Sequence, residues 1–141
     1  MSWIALGTVL PDLPLRPYLL APATADAMAR RAAEEGFTVT EAVLPEEPDE
    51  RALLRAVGTA LEFPSYYGEN WDAFNECLGD TELRGLFRVV VLRGFDRYRR
   101  AGLHGFVRAV HLLESSSEAV AQEYGARGGL AFVYVGEEFG R

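Results

Sequence analysis

The run RVVVLR, Arg88 to Arg93, constrains the fold of this chain more than any other stretch. It is apolar without alternation and rich in β-branched residues, the pattern of a strand buried on both faces of a parallel sheet. Such a strand needs helices above and below it, and the sequence alternates strand-like and helix-like segments on either side. Alternation of this kind implies parallel pairing through right-handed crossovers, and so a small α/β layered domain.

Taken in order, Trp3–Leu10 reads as a short strand, ended by Pro11, Pro14 and Pro17. Tyr18–Ala21 reads as a second strand, leading through Pro22 to a helix that starts near Thr24 and runs to Glu35, with Gly36 as its stop. Phe37–Leu44 has the β-branched content of a strand. Asp49 suits the cap of a helix from Glu50 to about Leu61, whose apolar side is Leu53, Leu54, Val57 and Leu61 at spacings of three, four and seven. Leu83–Phe87 suggests a short helix or turn, and Gly94–Gly105 a loop or irregular helix. Phe106–Glu114 is an amphipathic helix that Ser115–Ser117 should interrupt, resuming from Glu118 to Tyr124. Gly125–Gly129 reads as a loop, Leu130–Val135 as the last strand, and Gly136–Arg141 as a frayed tail.

A chain of 141 residues with 49% hydrophobic content can bury one proper core, and two domains would be cramped. The expected organisation is a single domain over 1–141, ending in a tail at 136–141. The net charge of −7 argues against direct contact with nucleic acid or an anionic membrane and favours a cationic partner. Cys77 stands alone, so it offers neither an internal disulfide nor a cysteine zinc site, and reads as a small buried hydrophobe. No run reaches the ~18–20 apolar residues of a membrane span, and the N-terminus lacks the pattern of a signal peptide, so the expected location is cytoplasmic.

The stretch FPSYYGENWDAFNECLGD, Phe63 to Asp80, holds the residues that point to function. Pro64, Ser65 and Gly68 signal a turn, Asn70 a helix cap, and Gly79 a helix stop, leaving a helix from Trp71 to Leu78. On that helix Trp71, Phe74 and Leu78 share a core-facing stripe, while Asp72 and Glu76 lie about 40° apart on the opposite side. Glu69 precedes the helix, Asp80 follows it, and no Lys or Arg lies between Arg55 and Arg84. Carboxylates at i and i+4 repel by about 0.2–0.5 kcal/mol. Acidic helix faces are often merely solvated, but this one is fed by Tyr66 and Tyr67, and tyrosine and tryptophan are enriched in binding surfaces.

Other chemistries are weaker in the sequence. His104 and His111 have no third ligand nearby, so no metal site is expected. The glycines of GARGG precede a strand instead of opening a helix, which suits a turn and not a phosphate loop. Ser115–Ser117 has no neighbouring base. Asp72 and Glu76 as an acid/base pair would need one carboxyl desolvated, whereas both fall on an exposed side. No catalytic residue and no cofactor is expected.

The run YYGENWDAFNECL, Tyr66 to Leu78, closely resembles the signature of the barstar family: an aromatic pair, Gly-x-Asn, an apolar residue, Asp-Ala, then an acidic residue before Cys-Leu. The segments from Phe37 to Val135 follow that family's order, which implies a barstar-like layered fold with 37–135 as the family core and 1–36 as an added N-terminal extension. Its sheet would have three parallel core strands plus one or two N-terminal strands, packed with helices. The resemblance further implies an intracellular inhibitor that plugs the active site of a small, basic, extracellular microbial ribonuclease with its acidic helix. It assigns partner contacts to Tyr66, Tyr67, Gly68, Asn70, Trp71, Asp72, Asn75, Glu76, Gly79 and Asp80. Glu76 stands where a prominent member has Asp, Asn75 and Thr81 where it has tryptophans, and Asp80 where it has glycine. The surface is therefore more polar and acidic, as for a different enzyme. The alternative is a binding module of the same fold for another basic protein, without ribonuclease inhibition.

Overall fold

The computed structural model describes residues 16–64, 68–80 and 86–139. Four strands form one parallel sheet in the order β1-β4-β3-β2: β1 is Tyr18–Leu20, β2 Thr38–Val43, β3 Phe87–Arg93 and β4 Gly129–Val135. The helices are α1 Pro22–Glu34, α2 Glu50–Ala60, α3 Trp71–Asp80, α4 Phe95–Ala101 and α5 Leu103–Tyr124, with a 3₁₀ turn at Gly125–Arg127. This is the α/β layered class expected. The N-terminal unit adds β1 to the outer edge of β4, and Trp3–Leu10 lies outside the described residues.

The central strands divide their side chains between two cores with a period of two. Val89, Val91, Ala131 and Val133 face Ala25, Met28 and Ala32 of α1. Val90, Leu92, Leu130, Phe132 and Tyr134 face the larger cluster built from α2, α3, α4 and α5. Burial of each large aliphatic side chain in these layers contributes about 1.5–3 kcal/mol relative to exposure. Arg88 is the polar exception. Its guanidinium donates to the carbonyl of Ala60 at 3.1 Å, where the last turn of α2 leaves acceptors unpaired.

Several boundaries differ from the sequence reading. Helix α1 begins at Pro22, two residues before Thr24, because proline lacks the N–H that the first turn leaves unbonded anyway. The stretch after β3, expected as a loop or irregular helix, holds the regular helix α4, with Phe95 and Tyr98 buried. Ser115–Ser117 do not interrupt α5, which runs unbroken for 22 residues. The Ser117 hydroxyl donates to the carbonyl of Leu130 in β4. The Ser116 hydroxyl lies 3.0 Å from the Leu112 carbonyl and 3.2 Å from Asn75 Oδ1, so its proton is shared between two acceptors. Ser116 and Ser117 thus satisfy their hydroxyls without leaving the helix, and Ser115 faces solvent, which removes the usual reason for serine to break it.

The tail is not frayed through its described part. Phe139 is buried and packs on Phe106 with ring centroids 6.1 Å apart. Gly136 passes so close to α4 that a Cβ there would stand 2.5 Å from Asp96 Cβ, which is why the position takes glycine. At the other edge, Arg16 reaches Glu114 at 2.8 Å, and the Tyr134 hydroxyl donates to the same carboxylate at 2.7 Å, tying β1 and β4 to α5.

These contacts set an alkaline limit on stability. Burial first, and the Glu114 carboxylate second, hold the Tyr134 phenol well above its ordinary range, and burial likewise raises Tyr18 and Tyr98. A raised folded-state value contributes stability that is complete below the unfolded value of about 10 and is lost as pH climbs through the folded values. Urea midpoints measured from about pH 8 to pH 11 should fall at the alkaline end. In Tyr134→Phe that fall should be shallower.

Candidate protein-binding site

The site is built on α3 and the turn before it. Asn70 starts the helix: its Oδ1 accepts from the Ala73 amide at 2.8 Å, and its carbonyl accepts from Phe74 at 2.8 Å. These satisfy two donors that a helix N-terminus leaves open. Phe74 is fully buried, and Cys77 and Leu78 join it in the interior. Trp71 is half-buried, with its ring edge-on to Phe74 at 5.7 Å, and Phe63 meets Phe74 from the preceding loop at 5.6 Å. This is the inward stripe that the spacing requires, with Cys77 added.

Packing of that stripe leaves Asp72, Asn75, Glu76, Gly79 and Asp80 exposed. Gly79 does not stop the helix as expected. It lies inside α3, which continues to Asp80, and a Cβ there would meet nothing within 4 Å. Gly68 and Asn70 are exposed in the turn, while Tyr66 and Tyr67 lie outside the described residues. Burial first, then the carboxylates of Asp80 and Glu76, push the Cys77 thiol up, so it stays protonated and unreactive at neutral pH.

The structure also places residues that a reading of the motif alone misses. The absence of basic residues near α3 holds only along the chain. In space, Arg51 and Arg55 of α2 reach Glu69 at 3.3 and 2.6 Å, so one member of the acidic group is paired within the molecule. Their signal in the sequence is an arginine pair at i and i+4 on the polar side of α2, visible only once α2 is known to lie beside the turn. Ser116 of α5 holds the Asn75 amide. Glu50, at the start of α2, lies against Trp71 and Arg108. The indole and then the guanidinium hold its carboxyl below the ordinary range, while Trp71 Nε1 itself is buried without a hydrogen bond of standard geometry.

A helix with a packed apolar side and an exposed row of Asp72, Glu76 and Asp80 offers a rigid acidic surface beside a turn. The model of one protein family, described as Barstar (barnase inhibitor), matches residues 37–135, well over half of the chain. The chain belongs to the barstar family. No curated protein matches it significantly. The match takes in β2, β3, β4 and every helix from α2 to α5, including the whole of the acidic surface. It leaves out β1 and α1, which this barstar-family chain adds at the edge of the sheet.

Fold and contact roles separate cleanly on α3. Asn70→Ala should cost about 1 kcal/mol by loss of the helix cap, read from urea unfolding. Glu76→Gln should leave stability unchanged or raise it by about 0.2–0.5 kcal/mol, by relieving repulsion from Asp72.

Proposed function

We propose that this chain is an intracellular inhibitor of a small basic microbial ribonuclease, acting by direct blockade of the enzyme's active site. The observation that carries the reading is family membership together with an exposed acidic side on α3. A site that holds RNA phosphate is lined with cations, and Asp72, Glu76 and Asp80 present carboxylates to such a site without offering a bond to cleave. The turn residues Tyr66, Tyr67, Gly68 and Asn70, with Trp71, Asn75 and Gly79, complete the proposed contact surface. Because α3 is already packed through Phe74 and Leu78, little ordering cost is incurred on binding.

Charge complementarity of this kind speeds encounter and makes the rate fall with salt. No cofactor takes part, and the expected place of action is the cytoplasm of a cell that also produces the ribonuclease. Asp72 and Glu76 are both solvated, without the desolvated carboxyl that general acid catalysis draws on. The polar residues Asn75 and Thr81 and the acidic Glu76 and Asp80 point to a cognate enzyme that offers this surface more cationic and hydrogen-bonding groups.

The test is titration of the purified chain against a panel of small basic microbial ribonucleases at low and high salt. Stoichiometric loss of RNA cleavage is expected for at least one, with Asp72→Ala and Glu76→Ala each weakening inhibition about 10- to 100-fold. Failure to inhibit any, combined with capture of a different basic protein that the same two substitutions abolish, would favour a barstar-fold binding module instead.

A further inference from the structure

Glu69 occupies an unusual position. It has a φ of 56°, in the left-handed region that a residue with a Cβ enters at a cost and glycine enters freely. Its side chain is only 19% exposed, and its carboxylate accepts from α2 three times. Arg51 Nε donates to Oε1 at 3.3 Å, Arg55 Nε to Oε2 at 2.6 Å, and Arg55 Nη2 to Oε1 at 3.4 Å. The two arginines stand one helical turn apart, so their guanidiniums converge on one carboxylate from successive turns.

The consequence runs along the backbone. Glu69 is followed directly by Asn70, whose side chain and carbonyl hold the amides of Ala73 and Phe74. Fixing Glu69 against α2 therefore fixes the cap, and the cap fixes the first turn of α3, which contains Asp72. The same pairing leaves Glu69 committed inside the molecule, with Asp72, Glu76 and Asp80 as the outward carboxylates.

We propose that Arg51, Glu69 and Arg55 form a charge clamp that sets the turn at the head of α3 before any partner arrives, with Glu69 a positioning residue and not a contact. The assignment rests on the reading of α3 as the contact helix. A clamped turn raises the fraction of molecules ready to bind, and the apparent affinity scales with that fraction.

The clamp is tested first in the free, full-length chain by amide hydrogen exchange. The double reversal Arg51→Glu with Arg55→Glu should speed exchange of the Ala73 and Phe74 amides about three- to fivefold, the scale expected for exposed ion pairs. Exchange of Val90 in β3 should change far less. About 1 M salt should speed the same two amides in the unmodified chain. Adding Glu69→Arg to the double reversal recreates the pairing with opposite signs and should restore slow exchange, a rescue that a general loss of stability would not show. Unchanged exchange in the double reversal, or failure of the triple variant to restore it, would overturn the proposal.

Against a ribonuclease that the unmodified chain inhibits, the double reversal should weaken binding by the same factor and the triple variant should recover it. A loss that the triple variant does not recover would mark Glu69 as a direct contact and overturn the positioning role. If the unmodified chain inhibits no ribonuclease, the functional reading falls while the exchange experiment still decides the clamp.

Discussion

The rotation of α3 about its own axis decides what this protein can present to a partner, and burial of Phe74 sets that rotation. Phe74 has no exposed surface and meets rings from two directions, Phe63 from the loop and Trp71 from the turn below. Turning the helix to bring Asp72 or Glu76 inward would expose an aromatic side chain and bury an unpaired carboxylate. Both changes are unfavourable, the second far more so. The acidic row therefore faces solvent as a result of packing, although its own repulsions oppose it.

The sheet supplies the platform against which that packing happens. Val90, Leu92, Phe132 and Tyr134 project from β3 and β4 into the same core as Phe74 and Leu78, and α5 is locked to β4 through Ser117. Around α3 the electrostatics are handled locally. Arg51 and Arg55 take up Glu69, Arg108 and Trp71 take up Glu50, and Ser116 takes up Asn75. Each of these pairings draws a polar group toward the body of the molecule. What stays outward is the row Asp72, Glu76 and Asp80 on a helix that has few ways to move.

Much of this was legible in the sequence where one local rule acted alone. Apolar content marked β3, spacing marked the buried sides of α2 and α3, and Asp49 and Asn70 served as caps as their side chains suggest. Legibility failed where a tertiary partner overrode the local preference. Ser116 and Ser117 look like a break until the carbonyl of Leu130 and the amide of Asn75 are placed beside them. Gly79 looks like a stop, yet two further residues of α3 follow the stripe that ends at Leu78. Arg51 and Arg55 look like ordinary solvent-facing charges because Glu69 is 18 and 14 residues away along the chain. The tail looks frayed until Phe139 meets Phe106. Apart from Gly79, the missing information in each case was a neighbour distant in sequence.

The most direct test of the account is an amide-exchange footprint of the full chain bound to whichever ribonuclease it inhibits. New protection is expected over the turn and α3, from Tyr66 to Asp80, with β1, α1 and the outer edge of β2 exchanging as in the unbound chain. Inhibition accompanied by protection of β1, α1 or the β2 edge, with the amides of α3 unaffected, would contradict it.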